Sequence, residues 1–359
     1  MSAHDGWLVY GANGYTGELV AREAARRGLR PLLAGRREEP VARLAAELDL
    51  PHRIFALDDS AALARGLGGV RTVLHCAGPF VRTSRAMVEA CLAGGVHYLD
   101  ITGEIAVFES IYRRHAKAQG AGVALLPGAG FDVVPTDCLA ARLAAALPGA
   151  ERLELAFASD GGSASRGTLK TMIESLPHAG AIRRDGEIVP VPPAWDVKKI
   201  HFSCGPRWAM TIPWGDVASA FRTTGIPSIR VYTGAPPSAI RRMRRLRRLL
   251  PIAGLAPVKR FLQWRIERTV TGPDRETRES ARVYLWGRAE GPGGAVTATL
   301  ETPEGYAFTA VSSVECARRV TAGELAPGAW TPATAFGATF VEELDGVVAH
   351  PVTAADDTR

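Results

Sequence analysis

The 359-residue chain has few cysteines and no long apolar run. Its five cysteines are scattered without a C-x-x-C pair, so the pattern predicts neither a disulfide framework nor a zinc site. No stretch of about 18 apolar residues is present to span a bilayer, and the polar residues 1–6 do not resemble a secretory signal. We therefore expect reduced thiols, no metal site and a cytoplasmic location.

Two further signatures are missing. No recognisable nucleic-acid-binding motif occurs, so the net charge of +6 does not by itself indicate a nucleic-acid partner. Tyr112 is followed by Ala116 where a Tyr-x-x-x-Lys pair would need lysine, which disfavours a short-chain alcohol dehydrogenase. The hydrophobic content of 47% is ordinary for a globular enzyme, and the length predicts two domains.

The most informative stretch present is a glycine-rich turn after the first apolar run. Residues 7–10 predict a buried strand, GANGYTG follows at 11–17, and an amphipathic helix comes next. In such a unit the glycines permit a tight turn, close approach of backbone N–H groups to a diphosphate, and tight packing of helix on strand. A glycine turn without a ligand is the alternative. The predicted diphosphate site comprises Gly11, Asn13, Gly14, Tyr15, Thr16 and Gly17.

The end of the second strand selects the dinucleotide. NAD-binding chains carry an acidic residue about 20 residues after the glycine turn, whereas this chain has Arg36 and Arg37 after Gly35. Guanidinium groups bind a 2′-phosphate through charge-assisted hydrogen bonds, so we predict NADP(H). The alternative is that both arginines pair with Glu38 and Glu39.

The first 132 residues alternate between strand and helix patterns. Asp58 follows the third strand, where it is placed either for an adenine amino group or as the cap of the next helix. The loop Ala77, Gly78 and Pro79 follows the fourth strand and is assigned to the nicotinamide half of the cofactor. Six strands with intervening helices predict a Rossmann-type, doubly wound parallel sheet of the α/β class.

Four side chains near the ends of strands five and six are candidates for proton transfer: Tyr98, Asp100, Glu104 and Asp132. A partly desolvated carboxyl group with a raised pKa acts as a general acid. The same carboxylates are also suited to capping helices or accepting hydrogen bonds from backbone N–H groups in turns. The sequence leaves these roles open.

Several segments together carry a family resemblance. GANGYTG, the AGPF loop, YLDITGE at 98–104 and PGAGFDVVPTD at 127–137 resemble the saccharopine dehydrogenase-like oxidoreductases, and more narrowly their trans-acting enoyl reductase branch. The resemblance implies a nicotinamide-binding domain formed by 1–132 with 331–359, and an inserted α+β substrate or dimerisation domain at 133–330, before a C-terminal helix. The residues after a Pro/Gly-rich connection predict that helix from Thr331 to Leu344. It also implies hydride transfer to a C=C or a C=N bond. A regulator that binds NADP(H) without turnover is the non-enzymatic alternative.

The substrate and partners are less sharply indicated. An aromatic-rich span between Trp195 and Phe221 favours an apolar metabolite or acyl thioester, although the same residues suit a domain core. Six arginines lie in the segment from Arg241 to Arg248, on a predicted amphipathic helix. They predict docking either of an acidic acyl carrier protein or of an anionic membrane surface; a solvated helix is the alternative. A homodimer is left open.

Overall fold

The computed structural model describes residues 4–161, 165–174, 180–247, 255–270 and 272–355. Two compact units are present, one formed by Met1–Asp132 with Tyr306–Ala335 and the other by Val133–Gly305 with Phe336–Arg359.

The strands are β1 (Trp7–Tyr10), β2 (Leu32–Gly35), β3 (His52–Ile54), β4 (Thr72–His75), β5 (His97–Asp100), β6 (Ala124–Leu126), β7 (Arg152–Ser159), β8 (Ala181–Arg184), β9 (Glu187–Pro190), β10 (Val197–Phe202), β11 (Gly205–Thr211), β12 (Ser228–Gly234), β13 (Arg282–Gly291), β14 (Gly294–Pro303), β15 (Gly328–Ala329), β16 (Val348–Ala349) and β17 (Thr353–Ala354). The α-helices are Tyr15–Arg26, Glu38–Glu47, Ser60–Gly66, Phe80–Gly94, Ile105–Tyr112, His115–Gly120, Val134–Ala146, Arg166–Glu174, Asp216–Thr224, Pro237–Leu246, Ala256–Thr269, Arg275–Ser280, Gly305–Thr321 and Pro332–Phe336.

The first unit contains a parallel sheet in the order β15-β6-β5-β4-β1-β2-β3. Its central strands β1, β2 and β4 are buried along their whole length, because helices cover both faces of such a sheet. Helix Tyr15–Arg26 buries Gly17, Val20, Ala21 and Ala24, which recur at helical spacing on one face. The predicted doubly wound α/β fold is confirmed.

The second unit contains a mixed sheet whose main path is β10-β11-β12-β7-β13-β14-β16. Only β7 and β12 pair in parallel among its described strands; the other pairs are antiparallel. Helix Val134–Ala146 packs closely on β13, where a Cβ atom at Gly287 would lie 2.6 Å from Cδ1 of Leu143. The predicted α+β domain with an antiparallel-rich sheet is present.

Two predicted boundaries are wrong. Residues 306–330, which we placed in the second domain, belong to the first unit because Phe131 N donates to Thr309 Oγ1 at 3.0 Å and β15 pairs with β6. Residues 336–359, which we placed in the first domain, belong to the second unit because β16 and β17 pair with β14.

The C-terminal helix expected from Thr331 to Leu344 is also wrong. The structure has a short helix, Pro332–Phe336, followed by a 3-10 helix, Phe340–Glu343. Gly337 separates them with φ 94°, a left-handed conformation that ends the first helix. The two-residue strand β15 was not predicted, because it lies in a Pro/Gly-rich connection and is too short to show a pattern. Among the described residues, no helix is long and apolar enough to cross a membrane.

Candidate active site

The glycine-rich turn and the loop after β4 meet where the strand order reverses. That point lies between β1 and β4, whose last residues Tyr10 and His75 are register partners. Gly11 has φ 81°, and a Cβ atom there would lie 2.8 Å from Cβ of Ala77. Ligands of doubly wound sheets bind at this switch point. The fold thus brings together two segments that the sequence assigns to one cofactor.

The glycines of the turn have different roles. A Cβ atom at Gly17 would lie 2.2 Å from the carbonyl oxygen of Gly11, so the helix can approach the strand only with glycine there. Gly14 is exposed, has φ −82°, and its Cβ position meets only that same oxygen, at 3.2 Å. No side chain caps the helix that begins at Tyr15. Space above Gly14 and an uncapped helix N-terminus fit an anionic diphosphate.

The other predicted residues of the glycine-rich turn are Asn13, Tyr15 and Thr16. Asn13 Oδ1 lies 3.0 Å from the Cβ position of Gly35, which brings the turn to the end of β2. The ring of Tyr15 packs edge-on against Tyr306 with centroids 5.0 Å apart. Thr16 is half-buried in the first helical turn. Their contacts with a cofactor stay predictions.

Arg36 and Arg37 are both exposed beyond β2. Neither makes an ion pair with any residue that the structure describes, and Glu39 instead pairs with Arg43 at an N–O distance of 3.8 Å. The alternative in which Glu38 and Glu39 neutralise the two arginines is therefore wrong. Two exposed guanidinium groups at this position suit a 2′-phosphate.

Asp58 and Arg36 both lie close enough to Tyr10 to affect its pKa. Burial raises the pKa of Tyr10 to about 12, while the positive charge of Arg36 lowers it and the negative charge of Asp58 raises it. Asp59, not Asp58, caps the next helix by accepting two backbone N–H groups at 3.0 and 2.9 Å. The capping alternative for Asp58 is wrong, and its role towards adenine stays a prediction.

We expect NADPH to bind at least about tenfold more tightly than NADH, since each charge-assisted hydrogen bond contributes about 1.5–3 kcal/mol. Replacing Arg36 and Arg37 with alanine should remove this preference by weakening NADPH binding alone. Titration of both cofactors followed by fluorescence measures it. Arg43→Ala, an exposed arginine in the following helix, is the matched control and should keep the preference. Equal affinities in the wild type would contradict the assignment.

The loop Ala77, Gly78 and Pro79 is held by two residues that sequence reasoning missed. Thr83 Oγ1 donates to the carbonyl oxygen of Ala77 at 2.7 Å, and His75 Nε2 lies 3.0 Å from the same hydroxyl. Burial lowers the pKa of His75 to about 3, so its imidazole is neutral. Because the Thr83 hydroxyl donates its hydrogen to Ala77, the tautomer that fits has its hydrogen on Nε2 and donates to Thr83. The available signal was a histidine at the last position of an otherwise apolar strand.

Asp100 and Tyr98 form one buried unit. Asp100 Oδ1 accepts from the N–H groups of Thr102 and Gly128 at 3.0 and 2.9 Å, and Oδ2 accepts from the Tyr98 hydroxyl at 2.8 Å. Both side chains are fully buried, and burial raises the pKa of Asp100 to about 6 and that of Tyr98 well above its usual value. This geometry joins the loops after β5 and β6 and makes Asp100 a support for them.

The carboxylate of Glu104, like that of Asp100, accepts hydrogen bonds through both of its oxygens. Its two carboxylate oxygens accept from the backbone N–H groups of Phe80 and Val81, each at 2.8 Å, at the start of helix Phe80–Gly94. A carboxylate at a helix N-terminus satisfies orphan donors and interacts favourably with the helix dipole. Glu104 therefore anchors the helix that follows the Gly78-Pro79 loop.

Asp132 has a different environment. Its Oδ2 lies 2.6 Å from the Cβ position of Gly103, so the carboxyl group rests on the Thr102-Gly103 turn. No hydrogen bond or ion pair joins its side chain to another described residue. The residue is partly exposed, yet desolvation of the carboxyl group, reinforced by the charge of Glu104, raises its pKa to about 7. Among the four candidates, Asp132 has the carboxyl group best suited to hold and release a proton near neutral pH.

Removing the Tyr98 hydroxyl should test the supporting role of Asp100. Below a pH of about 6 Asp100 is protonated, and above it the ionised carboxylate needs its three donors. Tyr98→Phe should therefore lower the free energy of unfolding by about 1–3 kcal/mol at pH 8 and by less at pH 5. Denaturant unfolding measures both. Tyr10→Phe, which loses a bond to the neutral carbonyl of Phe55, should show a loss independent of pH. A pH-independent loss in Tyr98→Phe would contradict the role.

Comparison with known proteins identifies the first domain. Residues 7–126 match the family described as saccharopine dehydrogenase NADP binding domain. This part of the chain is similar to saccharopine dehydrogenase NADP-binding domains. The predicted resemblance and the NADP class of cofactor are thereby confirmed, and the glycine turn, Arg36 and the Ala77 loop lie inside the matched residues.

The similarity to curated relatives covers only part of each of those proteins. A saccharopine dehydrogenase-like oxidoreductase of Bos taurus is 31% identical over 150 residues, 36% of this chain and 35% of that protein. A trans-acting enoyl reductase of Mycobacterium leprae is 33% identical over 138 residues, 36% of this chain and 33% of that protein. The chain thus matches about a third of the length of each relative.

A solved structure shares the whole fold. Saccharopine dehydrogenase (L-Glu forming) from Saccharomyces cerevisiae superposes with a TM-score of 0.67, covering 96% of this chain and 99% of that chain. The sequence identity is 12%, so the likeness concerns the fold. The predicted combination of a Rossmann-type domain and a second domain with a mixed sheet therefore occurs in a known fold.

Proposed function

We propose that the protein is an NADPH-dependent reductase that adds hydrogen across a C=C bond of an acyl thioester, with Asp132 as the proton donor. The observation that carries this proposal is the carboxyl group of Asp132, which rests on the Thr102-Gly103 turn, makes no hydrogen bond to any described residue and has its pKa raised to about 7 by desolvation and by the charge of Glu104. NADPH, when bound, supplies hydride. The name of the mycobacterial relative supports an enoyl acceptor.

The residues of the chain have separable tasks in this proposal. Gly14 and the N-terminus of helix Tyr15–Arg26 hold the diphosphate, and Arg36 with Arg37 holds the 2′-phosphate. Asp100 and Glu104 fix the turn that supports Asp132. Protonated Asp132 gives its proton to the carbon next to the thioester carbonyl, so that the C=C bond becomes a C–C bond with one hydrogen added at each end.

A C=N acceptor is the second candidate, because the bovine relative is named for saccharopine dehydrogenase. Oxidation of NADPH, followed by the change in its absorbance, against a panel of enoyl thioesters and cyclic imines separates the two. We expect turnover with enoyl thioesters, and higher efficiency when the acyl group is carried on a phosphopantetheine arm. Turnover of the imines alone would favour C=N reduction. Tight NADPH binding without turnover of any member would favour a regulator.

A further inference from the structure

One segment of the second unit concentrates both positive charge and exposed apolar surface. Residues 241–270 contain ten basic residues and one acidic residue, a net charge of +9 in a chain whose total is +6. All other residues together therefore carry a net charge of −3. The positive charge of this protein is a local feature, which points to a local function.

The arginines on helix Pro237–Leu246 face solvent. Arg241, Arg242, Arg245 and Arg247 are exposed and make no ion pair within the described part of the chain. Arg244 donates to the carbonyl oxygen of Ala194 at 3.1 Å and so ties the helix to its own unit. Arg248, which the sequence places in the same cluster, lies outside the described residues. No described acidic residue pairs with these four arginines, so their positive charge is presented to solvent.

Large apolar side chains are exposed in the same segment. Leu246 and Leu255 are 46% and 56% exposed, and Phe261 and Trp264 are 56% and 47% exposed. The rings of Phe261 and Trp264 stack with centroids 5.9 Å apart, and the guanidinium of Arg268 lies 4.3 Å from the Trp264 ring. A monomeric surface rarely exposes such a cluster without a partner.

The helix that carries these rings is anchored on its other side. Helix Ala256–Thr269 packs against helix Arg166–Glu174, and its Val258, Leu262 and Ile266 are half-buried. Eight residue steps separate Arg247 from Leu255, so the two exposed clusters lie within about 29 Å of each other. Exposed arginines therefore accompany exposed leucine, phenylalanine and tryptophan on two described helices of one unit.

We infer that the exposed side chains of helices Pro237–Leu246 and Ala256–Thr269, with Arg247 and Leu255, dock the protein on an anionic phospholipid surface. Arginines attract acidic headgroups, while tryptophan and phenylalanine insert at the boundary between headgroups and acyl chains. The negative charge of an acidic protein would account for the exposed arginines, but it would not account for the exposed stack of Phe261 on Trp264. The apolar half of the segment thus decides in favour of lipid. This inference is independent of the reaction proposed above.

Sedimentation of the full chain with vesicles tests the inference without any activity readout. We expect at least about tenfold stronger binding to phosphatidylcholine vesicles that contain phosphatidylserine than to pure phosphatidylcholine vesicles, and weaker binding as salt is added. The triple variant Arg241→Glu, Arg242→Glu, Arg245→Glu should lose this binding. Arg43→Glu, Arg113→Glu, Arg275→Glu makes the same change of charge at exposed sites elsewhere and should retain it.

The apolar contribution needs its own variant. Phe261→Ser with Trp264→Ser keeps every charge and should weaken vesicle binding at least about tenfold. Trp208→Ser, at a tryptophan 45% exposed on β11, is the matched control. Equal binding to both vesicle types, or equal loss in the control variants, would overturn the inference. The inference would also be overturned if the Arg241 triple variant kept its vesicle binding but lost binding to an acidic acyl carrier protein. That result would assign the surface to the carrier protein.

Discussion

Replacing Asp132 with asparagine should lower kcat by about 10²- to 10⁴-fold while NADPH binding stays unchanged. Asparagine keeps the size of the side chain and its contact with Gly103 but carries no transferable proton. Steady-state kinetics on the best enoyl thioester and a separate NADPH titration measure the two effects. Asp49→Asn is the matched control, because that side chain is 95% exposed. Wild-type kcat in Asp132→Asn would assign proton transfer to another group.

The pH profile gives an independent measure of the same group. The carboxyl group must be protonated to donate, so kcat/KM of the wild type should fall as the pH rises above about 7. Glu104 raises the pKa of Asp132 through its negative charge, so Glu104→Gln should move this fall to lower pH. A profile that rises through pH 7 would mean that the ionised carboxylate is the active form.

Replacing Gly14 with valine should weaken NADPH binding about 100-fold or more, equivalent to about 2.8 kcal/mol, while the chain still folds. Gly14 has φ −82°, which any residue adopts, and its Cβ position makes one tight contact, 3.2 Å from the carbonyl oxygen of Gly11, so the exposed branched side chain should enter the space above the turn after a small local shift. Gly→Val at a helix N-cap should cost about 0.5–2 kcal/mol of stability, because valine is a much poorer N-cap than glycine. Calorimetric titration with NADPH measures the affinity, and thermal unfolding checks the fold.

Two glycines provide contrasts. Gly120→Val adds the same side chain at a position where nothing lies within 4 Å, and should leave both affinity and stability unchanged. Gly17→Ala should destabilise the first unit even without cofactor, because its Cβ atom would lie 2.2 Å from a backbone oxygen. Full NADPH affinity in folded Gly14→Val would place the diphosphate elsewhere.

Local patterns were sufficient for much of the first unit. An apolar strand, a glycine turn and two arginines at the end of the next strand are all contiguous in sequence, and each acts through its own backbone or charge. The family match confirms the NADP-binding domain that they predict. The aromatic residues of the second half were less informative: Phe202 is buried in a core, whereas Trp208 is 45% exposed, so they do not share one environment.

The sequence by itself determined the α/β class, the cofactor turn and the position of four acidic or phenolic candidates. Only the tertiary structure showed how their environments differ. Asp100 accepts a hydrogen bond from Gly128 N, which lies on another loop. The loop that carries Asp132 is held by a hydrogen bond from Phe131 N to Thr309, 178 residues away in sequence. The tertiary structure also reassigned residues 306–330 and 336–359 between the units. A hydrogen-bond partner distant in sequence leaves no periodic signal along the chain, so whether a carboxylate is occupied or available is decided only when the fold brings its neighbours to it.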